Sequence, residues 1–150
     1  MISLVTLAHR VSSIHSRYAG IHASIFSFSL SKLNLLFWKE PDFEYCRYET
    51  ELIQIIEELA EARSVIAGGE DLEPATTVGR EFAFALDVYV IALSDTVERL
   101  LTISNHLCQD SKGLGKYSDE QTRADRLDYD NAVQQYKRLG ERLEFLFKRL

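Results

Sequence analysis

"FAFALDVYVIALSDTVERLLTISNHL", residues 82–107, repeats large apolar side chains at alternating spacings of three and four residues. Such spacing places these side chains on one face of an α-helix, as at the a and d positions of a heptad repeat. The apolar seam of this segment consists of Phe82, Leu86, Tyr89, Leu93, Thr96, Leu100, Ile103 and Leu107. The stretch therefore predicts a long helix that buries one face against other helices.

Three further segments show the same alternation. Their seams are Leu4, Leu7, Val11, Ile14, Tyr18, Ile21, Ile25 and Phe28; Tyr45, Tyr48, Leu52, Ile55, Leu59, Ala62 and Ile66; and Tyr129, Ala132, Tyr136, Leu139, Leu143, Leu146 and Leu150. Glycine, proline and polar clusters at 38–42, 67–76 and 109–121 separate the segments. We predict helices over about 3–36, 42–66, 75–108 and 118–149. Short connections favour antiparallel neighbours, so we expect an all-α, up-down-up-down four-helix bundle in one domain, 1–150.

Local signals mark some helix ends, while one segment is ambiguous. Pro74 suits the first turn of the third helix, and Ser118 with Gln121 forms a capping-box pattern before the fourth. The stretch "FSFSLSKLNL", residues 26–35, alternates apolar and polar residues as a strand does. The first helix could therefore end or bend near Phe26, and whether residues 26–37 are helical is left open.

Composition limits the class of protein. The longest uncharged run, residues 18–31, is too short and too polar to cross a bilayer, so we expect no transmembrane segment. The first residues lack a basic stretch before the apolar part, which argues against a secretory signal. Cys46 and Cys108 fit no metal-binding spacing. One disulfide is an alternative, but we expect two reduced thiols and a cytoplasmic location.

The net charge of −6 is distributed unevenly along the chain. Residues 1–39 contain four basic residues and no acid, which leaves 13 basic and 23 acidic residues, or −10, in residues 40–150. An acid-free start is found in mitochondrial transit segments, but we favour a positive helix lying on a negative body. The acidic body repels nucleic-acid phosphates, so we expect a protein partner rather than DNA or RNA.

Apolar residues beyond the seam of residues 82–107 indicate association. Phe84 and Ile91 fall at position f, with Val88 at c, where a simple bundle meets water. Either this helix is central in the bundle, or its first half meets a second molecule, and we predict a homodimer or an obligate partner there. Seven aromatic residues also lie within 26–48, and they either cap the core or form a partner pocket that includes Trp38 and Phe43.

Two family resemblances raise enzymatic alternatives. HEPN-domain ribonucleases carry an arginine, four to six residues, then a histidine. The pairs Arg10–His15, Arg17–His22 and Arg99–His106 resemble this pattern. By that resemblance His106 would be the general acid or base and Arg99 would hold the phosphate, although Leu100 stands where the family has a polar residue.

The second resemblance is to MazG-type nucleotide pyrophosphohydrolases, in segments "EELAEA" (57–62) and "FALDVYVIALSD" (84–95). The resemblance implies Mg²⁺ held by Glu58, Glu61 and Asp87. Gln54, Ile55 and Phe84 stand where the family has glutamates. Because the chain departs from both families, we predict a non-enzymatic protein-interaction module without a cofactor: a regulator, an adaptor or an immunity-type binder that self-associates.

Overall fold

The computed structural model of the protein describes residues 2–34, 44–68 and 76–150, with the side chains of 27–34 and 44 excepted. Four helices account for most of this chain: α1 (Leu4–Asn34), α2 (Glu44–Gly68), α3 (Thr77–Ser111) and α4 (Asp119–Phe147). Their packing is that of a four-helix bundle, and the described residues form no strand. The predicted fold class is confirmed, and α1 continues as a helix to Asn34.

The helices run antiparallel to their sequence neighbours. The start of α2 meets the end of α3 through Cys46 and Cys108, and Arg63 near the end of α2 meets Asp87 near the start of α3. Helix α3 lies at the centre, because its backbone packs against those of α1, α2 and α4. Among described residues, no Cα of α1 lies within 8 Å of a Cα of α4. Side chains alone close that side of the bundle.

The core follows the predicted seams closely. A single cluster of buried apolar side chains draws on all four helices. Val90 and Val97, which lie beside the α3 seam, are also fully buried, so α3 buries a wide face. At the end of the fourth seam, Leu150 lies beyond α4 and remains partly exposed. The heptad spacing therefore predicted the inward face of each helix.

Two helix starts are capped by hydroxyl side chains. Thr76 Oγ1 accepts a hydrogen bond from the Gly79 amide at 3.0 Å, and Ser118 Oγ accepts one from the Gln121 amide at 3.1 Å. The side chain of Gln121 donates to Asp125 at 2.8 Å. The Ser118 cap is thus confirmed, while the predicted role of Pro74 lies outside the described residues.

The expectation of two reduced thiols is wrong, because Cys46 and Cys108 form a disulfide. Their Cα atoms lie 5.0 Å apart, within the range that a disulfide requires. The antiparallel packing of α2 and α3 creates this approach between residues separated by 62 positions. Nothing in the local sequence around either cysteine shows which helix ends meet.

Across the described parts of all four helices, no segment combines the length and the apolar character needed to cross a membrane.

Candidate functional site

The outward face of α3 carries an apolar stripe, here called the outer stripe, that consists of Phe84, Val88 and Ile91. The Phe84 side chain is 74% exposed and that of Ile91 is 43% exposed, whereas Val88 is half-buried. At 100° per residue, the stripe lies opposite the buried side of α3 that includes Leu86 and Leu93. The structure thus confirms the prediction that these three residues lie on the outward face of the helix.

Open grooves run along both sides of the outer stripe. The groove between α3 and α4 is lined by Ala92, Ala132 and Leu139, among others. The groove between α2 and α3 includes Ala60, Ser64 and Ala67. Ile91 contributes to both. Small side chains beside a ridge of large ones form the relief that helices use to pack ridges into grooves.

Some charged residues beside the outer stripe are paired within the chain, and others are not. Asp87 accepts a hydrogen bond from Arg63 at 3.1 Å, and Asp95 accepts one from Arg99 at 3.1 Å. These two carboxylates are neutralised within one molecule. Beyond both ends of the outer stripe, the side chains of three exposed residues, Arg80, Glu81 and Glu98, make no ion pair with any described residue.

The aromatic cluster of residues 26–48 is described only in part. Trp38 and Phe43, the predicted partner-pocket residues, lie outside the described residues. Tyr45 is buried in the core, and the Phe26 ring packs 4.7 Å from His22 and 5.6 Å from Tyr129 between centroids. The guanidinium of Arg126 covers Phe26 at 3.7 Å from its centroid. The described members of this cluster thus belong to the packed bundle.

A polar chain that sequence reasoning missed joins α1 and α4. The hydroxyl oxygens of Tyr18 and Tyr129 lie 2.5 Å apart, and the Tyr129 oxygen lies 2.5 Å from His22 Nδ1. Burial raises the pKa of both tyrosines. Burial and the nearby Arg126 lower the pKa of His22, and this effect outweighs the opposite influence of Asp130. We assign Tyr18 as donor to Tyr129, and Tyr129 as donor to neutral His22.

A cavity opens further along the same side of the bundle. It measures about 290 Å³ and is lined mainly by apolar side chains of α1, α3 and α4, including Phe82, Tyr89 and Phe147. His15 also lines it, and its Nε2 lies 3.4 Å from the Tyr136 hydroxyl. Burial and nearby Lys137 lower the pKa of His15, so its ring is neutral at pH 7. The cavity and the polar chain both arise where the α1 and α4 backbones stand apart.

The arginine–histidine pairs are held in separate interactions. Arg99 binds Asp95 and lies 3.9 Å from Asp128, while the His106 ring stacks on Tyr117 at 4.8 Å between centroids. His106 Nε2 also lies 3.9 Å from an Asp125 oxygen. Each member of the Arg99–His106 pair thus faces its own carboxylate.

The candidate metal ligands are likewise held by arginines or left at the surface. Arg17 of α1 pairs with Glu58 of α2, and Arg63 pairs with Asp87. Glu61 is exposed. Within the described ranges, no three histidine, cysteine or acidic side chains come together in a group that could hold a metal ion. The carboxylates that resemble the MazG pattern are therefore not gathered around one point.

The missed polar chain left a weak trace in the sequence. Tyr18 and Tyr129 occupy seam positions, and His22 lies four residues after Tyr18 on the same helix side. The hydroxyl of a buried tyrosine usually has a hydrogen-bond partner, which points to polar contacts at these positions but not to the residues that make them.

Searches of protein-family models, curated proteins and solved structures with this chain find no match.

Proposed function

We propose that the protein is a non-enzymatic interaction module that self-associates through the outer stripe of α3. The exposure of Phe84, at 74%, on the same helix face as Val88 and Ile91 carries this proposal. A large aromatic ring in water gains several kcal/mol when it is buried, roughly 2–3 kcal/mol for a phenylalanine. Apolar residues that share one outward face mark interaction sites more often than scattered ones do.

The surroundings of the outer stripe support a protein partner over other ligands. The two grooves beside it are open, and small residues line them together with charged and amide side chains, which suits a protein surface rather than a small molecule. The whole chain carries 23 acidic and 17 basic residues, so a nucleic acid would be repelled. Beside Ile91, the carboxylates of Asp87 and Asp95 are paired with Arg63 and Arg99 within the same chain.

The proposal is tested by the double variant Phe84→Glu/Ile91→Glu. Two buried charges facing each other across an interface are unfavourable, so we expect light scattering to give the monomer mass, against a dimer mass for the wild type. Both side chains are exposed in the single chain, so the circular dichroism spectrum should not change. Val5→Glu is the matched control, since Val5 is 41% exposed on α1, which packs on the core side of α3. Equal masses for wild type and double variant would refute the proposed interface.

The two enzymatic alternatives predict that different substitutions abolish activity. A MazG-type activity requires Mg²⁺ and depends on Glu58 and Asp87, whereas a HEPN-type activity depends on His106. Alanine variants at these positions should leave the association unchanged. A Mg²⁺-dependent nucleotide hydrolysis that disappears in Glu58→Ala would replace the interaction module with an enzyme.

The expected cytoplasmic location was paired with reduced thiols, and the disulfide removes that part of its support. We propose instead that the protein works where the Cys46–Cys108 bond is maintained. Thiol labelling in a lysate that is denatured together with the labelling reagent tests this, because a disulfide-bonded pool remains unlabelled until a reductant is added. Complete labelling before reduction would favour the cytoplasmic location.

A further inference from the structure

We propose that two copies pair their outer stripes antiparallel, about a two-fold axis level with the peptide between Tyr89 and Val90. This inference rests on the proposed function and names its partner: a second copy in one defined register. The charge pattern along α3 supports this register, which the apolar stripe alone does not determine.

The apolar residues are placed symmetrically about that level. Val88 and Ile91 lie at equal distances before and after it, so a two-fold axis there sets Val88 against the partner's Ile91 and the reverse. Phe84 then reaches the level of the partner's Asp95, beside the groove that contains the partner's Ala92. This arrangement covers the most exposed apolar ring of the stripe and places it beside Ala92 and the Asp95–Arg99 ion pair of the second copy.

Charged residues lie beyond both ends of the stripe, and they follow the same two-fold symmetry as the apolar residues. Arg80 and Glu98 are 18 residues apart, or about five helical turns, so they share one flank of α3. Glu81 and Arg99 are also 18 residues apart and share the other flank. An antiparallel two-fold axis keeps each flank on its own side of the interface. Arg80 therefore meets the partner's Glu98, and Glu81 meets the partner's Arg99.

A parallel pair would bring different residues together. A two-fold axis along the helices exchanges the flanks, so Arg80 would lie beside the partner's Glu81 and Glu98 beside the partner's Arg99, but Asp95 would face the partner's Asp95. Reversing both Arg80 and Glu98 restores opposite charges only in the antiparallel pair. A uniformly basic partner would suit Glu81 and Glu98 but would repel Arg80 and Arg99. Arg80, Glu81 and Glu98 have no ion-pair partner among the described residues of their own chain, which leaves them available across the interface.

Charge reversal tests the register. Arg80→Glu and Glu98→Arg each convert two of the four proposed ion pairs into repulsions, so each should raise the dimer Kd roughly tenfold. A simple effect of net charge predicts otherwise, because Glu98→Arg lowers the net negative charge and would tighten the dimer. Sedimentation velocity over a concentration series gives the Kd of each variant.

Restoration makes the test specific. The double variant Arg80→Glu/Glu98→Arg re-forms both pairs with reversed signs, so its Kd should return to within about threefold of the wild type. A mixture of the two single variants should form heterodimers in excess of the statistical half in native mass spectra. Arg10→Glu on α1 is the control for an equal change of net charge and should leave the Kd unchanged.

The outcomes separate this inference from the proposed function. Dissociation by Phe84→Glu/Ile91→Glu, together with a tightened dimer in Glu98→Arg or no restoration in the double swap, would overturn the register but not the interface. A wild type that remains monomeric, or a stripe variant that remains dimeric, would overturn both.

Discussion

The α2–α3 and α1–α4 sides of the bundle are closed by different means. Between α2 and α3 the backbones approach closely, and a disulfide joins the start of α2 to the end of α3. Between α1 and α4 the backbones stand further apart, and tyrosine, histidine and phenylalanine side chains span the gap. The first side depends on packing and a covalent bond, while the second depends on hydrogen bonds between neutral groups. The two sides should therefore respond to different perturbations.

Loss of the disulfide should have the largest effect. Chain-entropy arguments for a separation of 62 residues give about 4 kcal/mol, so Cys46→Ser/Cys108→Ser should lower the Tm by roughly 8–16 °C. Calorimetry of the variant, beside wild type with and without a reductant, measures this. Reduced wild type should match the variant, and an unchanged Tm in both would mean that the α2–α3 side does not depend on the bond.

Removal of the central hydroxyl should weaken the α1–α4 side. Tyr129→Phe leaves the Tyr18 hydroxyl and His22 Nδ1 without their partner in a buried place, which costs about 1–3 kcal/mol. Urea unfolding gives the change in the free energy of unfolding. Tyr89→Phe is the matched control, because the Tyr89 hydroxyl makes no hydrogen bond to a described residue. Equal losses in the free energy of unfolding for the two variants would show that the Tyr18–Tyr129–His22 hydrogen bonds add nothing beyond packing.

Acid should also act on the α1–α4 side. Burial lowers the pKa of His15 and His22 in the folded protein below 6.5, so the unfolded chain takes up protons first as the pH falls. The stability contributed by the neutral rings is complete above pH 6.5 and declines below it, until the folded protein also becomes protonated. Urea unfolding at pH 7.5 and 5.5 should show a smaller decline in His15→Gln/His22→Gln than in wild type. Parallel declines would contradict this.

Substitution of two helical glycines should have the smallest effects on stability. Nothing lies within 4 Å of a Cβ added at exposed Gly20, so Gly20→Ala should stabilise the protein by about 1 kcal/mol. A Cβ at Gly140 would lie 3.2 Å from Tyr89 Cε2, so Gly140→Ala should gain less. Thermal unfolding compares the two variants. An equal gain at both positions would mean that Tyr89 moves freely into the neighbouring cavity.

Sequence reasoning was accurate wherever the deciding interactions are local. Helix ends fell within a few residues because glycine, proline and capping residues such as Ser118 act on their own neighbours. The inward faces followed from the heptad spacing, and Phe84 and Ile91 were placed outside the core for the same reason. The outer stripe was thus accessible from the sequence, although its occupant is a proposal.

The errors concern residues far apart in the chain. The prediction of reduced Cys46 and Cys108 followed from the expected cytoplasmic location, yet antiparallel packing brings the two residues together in a disulfide. The carboxylates that resemble a metal site meet Arg17 and Arg63 instead, which depends on the alignment of α1, α2 and α3. A motif match gives residue types in order, whereas chemistry requires them at one point in space.

Taken alone, the sequence determined four helices, their buried faces and the apolar stripe on α3, because periodicities of three and four residues act within a single helix. Only the tertiary structure decided the Cys46–Cys108 bond, the Tyr18–Tyr129–His22 chain and the cavity beside Tyr89. Each of these depends on which helix lies beside which, and on the distance between their axes. That distance is set by the side chains of two or three helices packing at once, and no segment of the sequence contains it by itself.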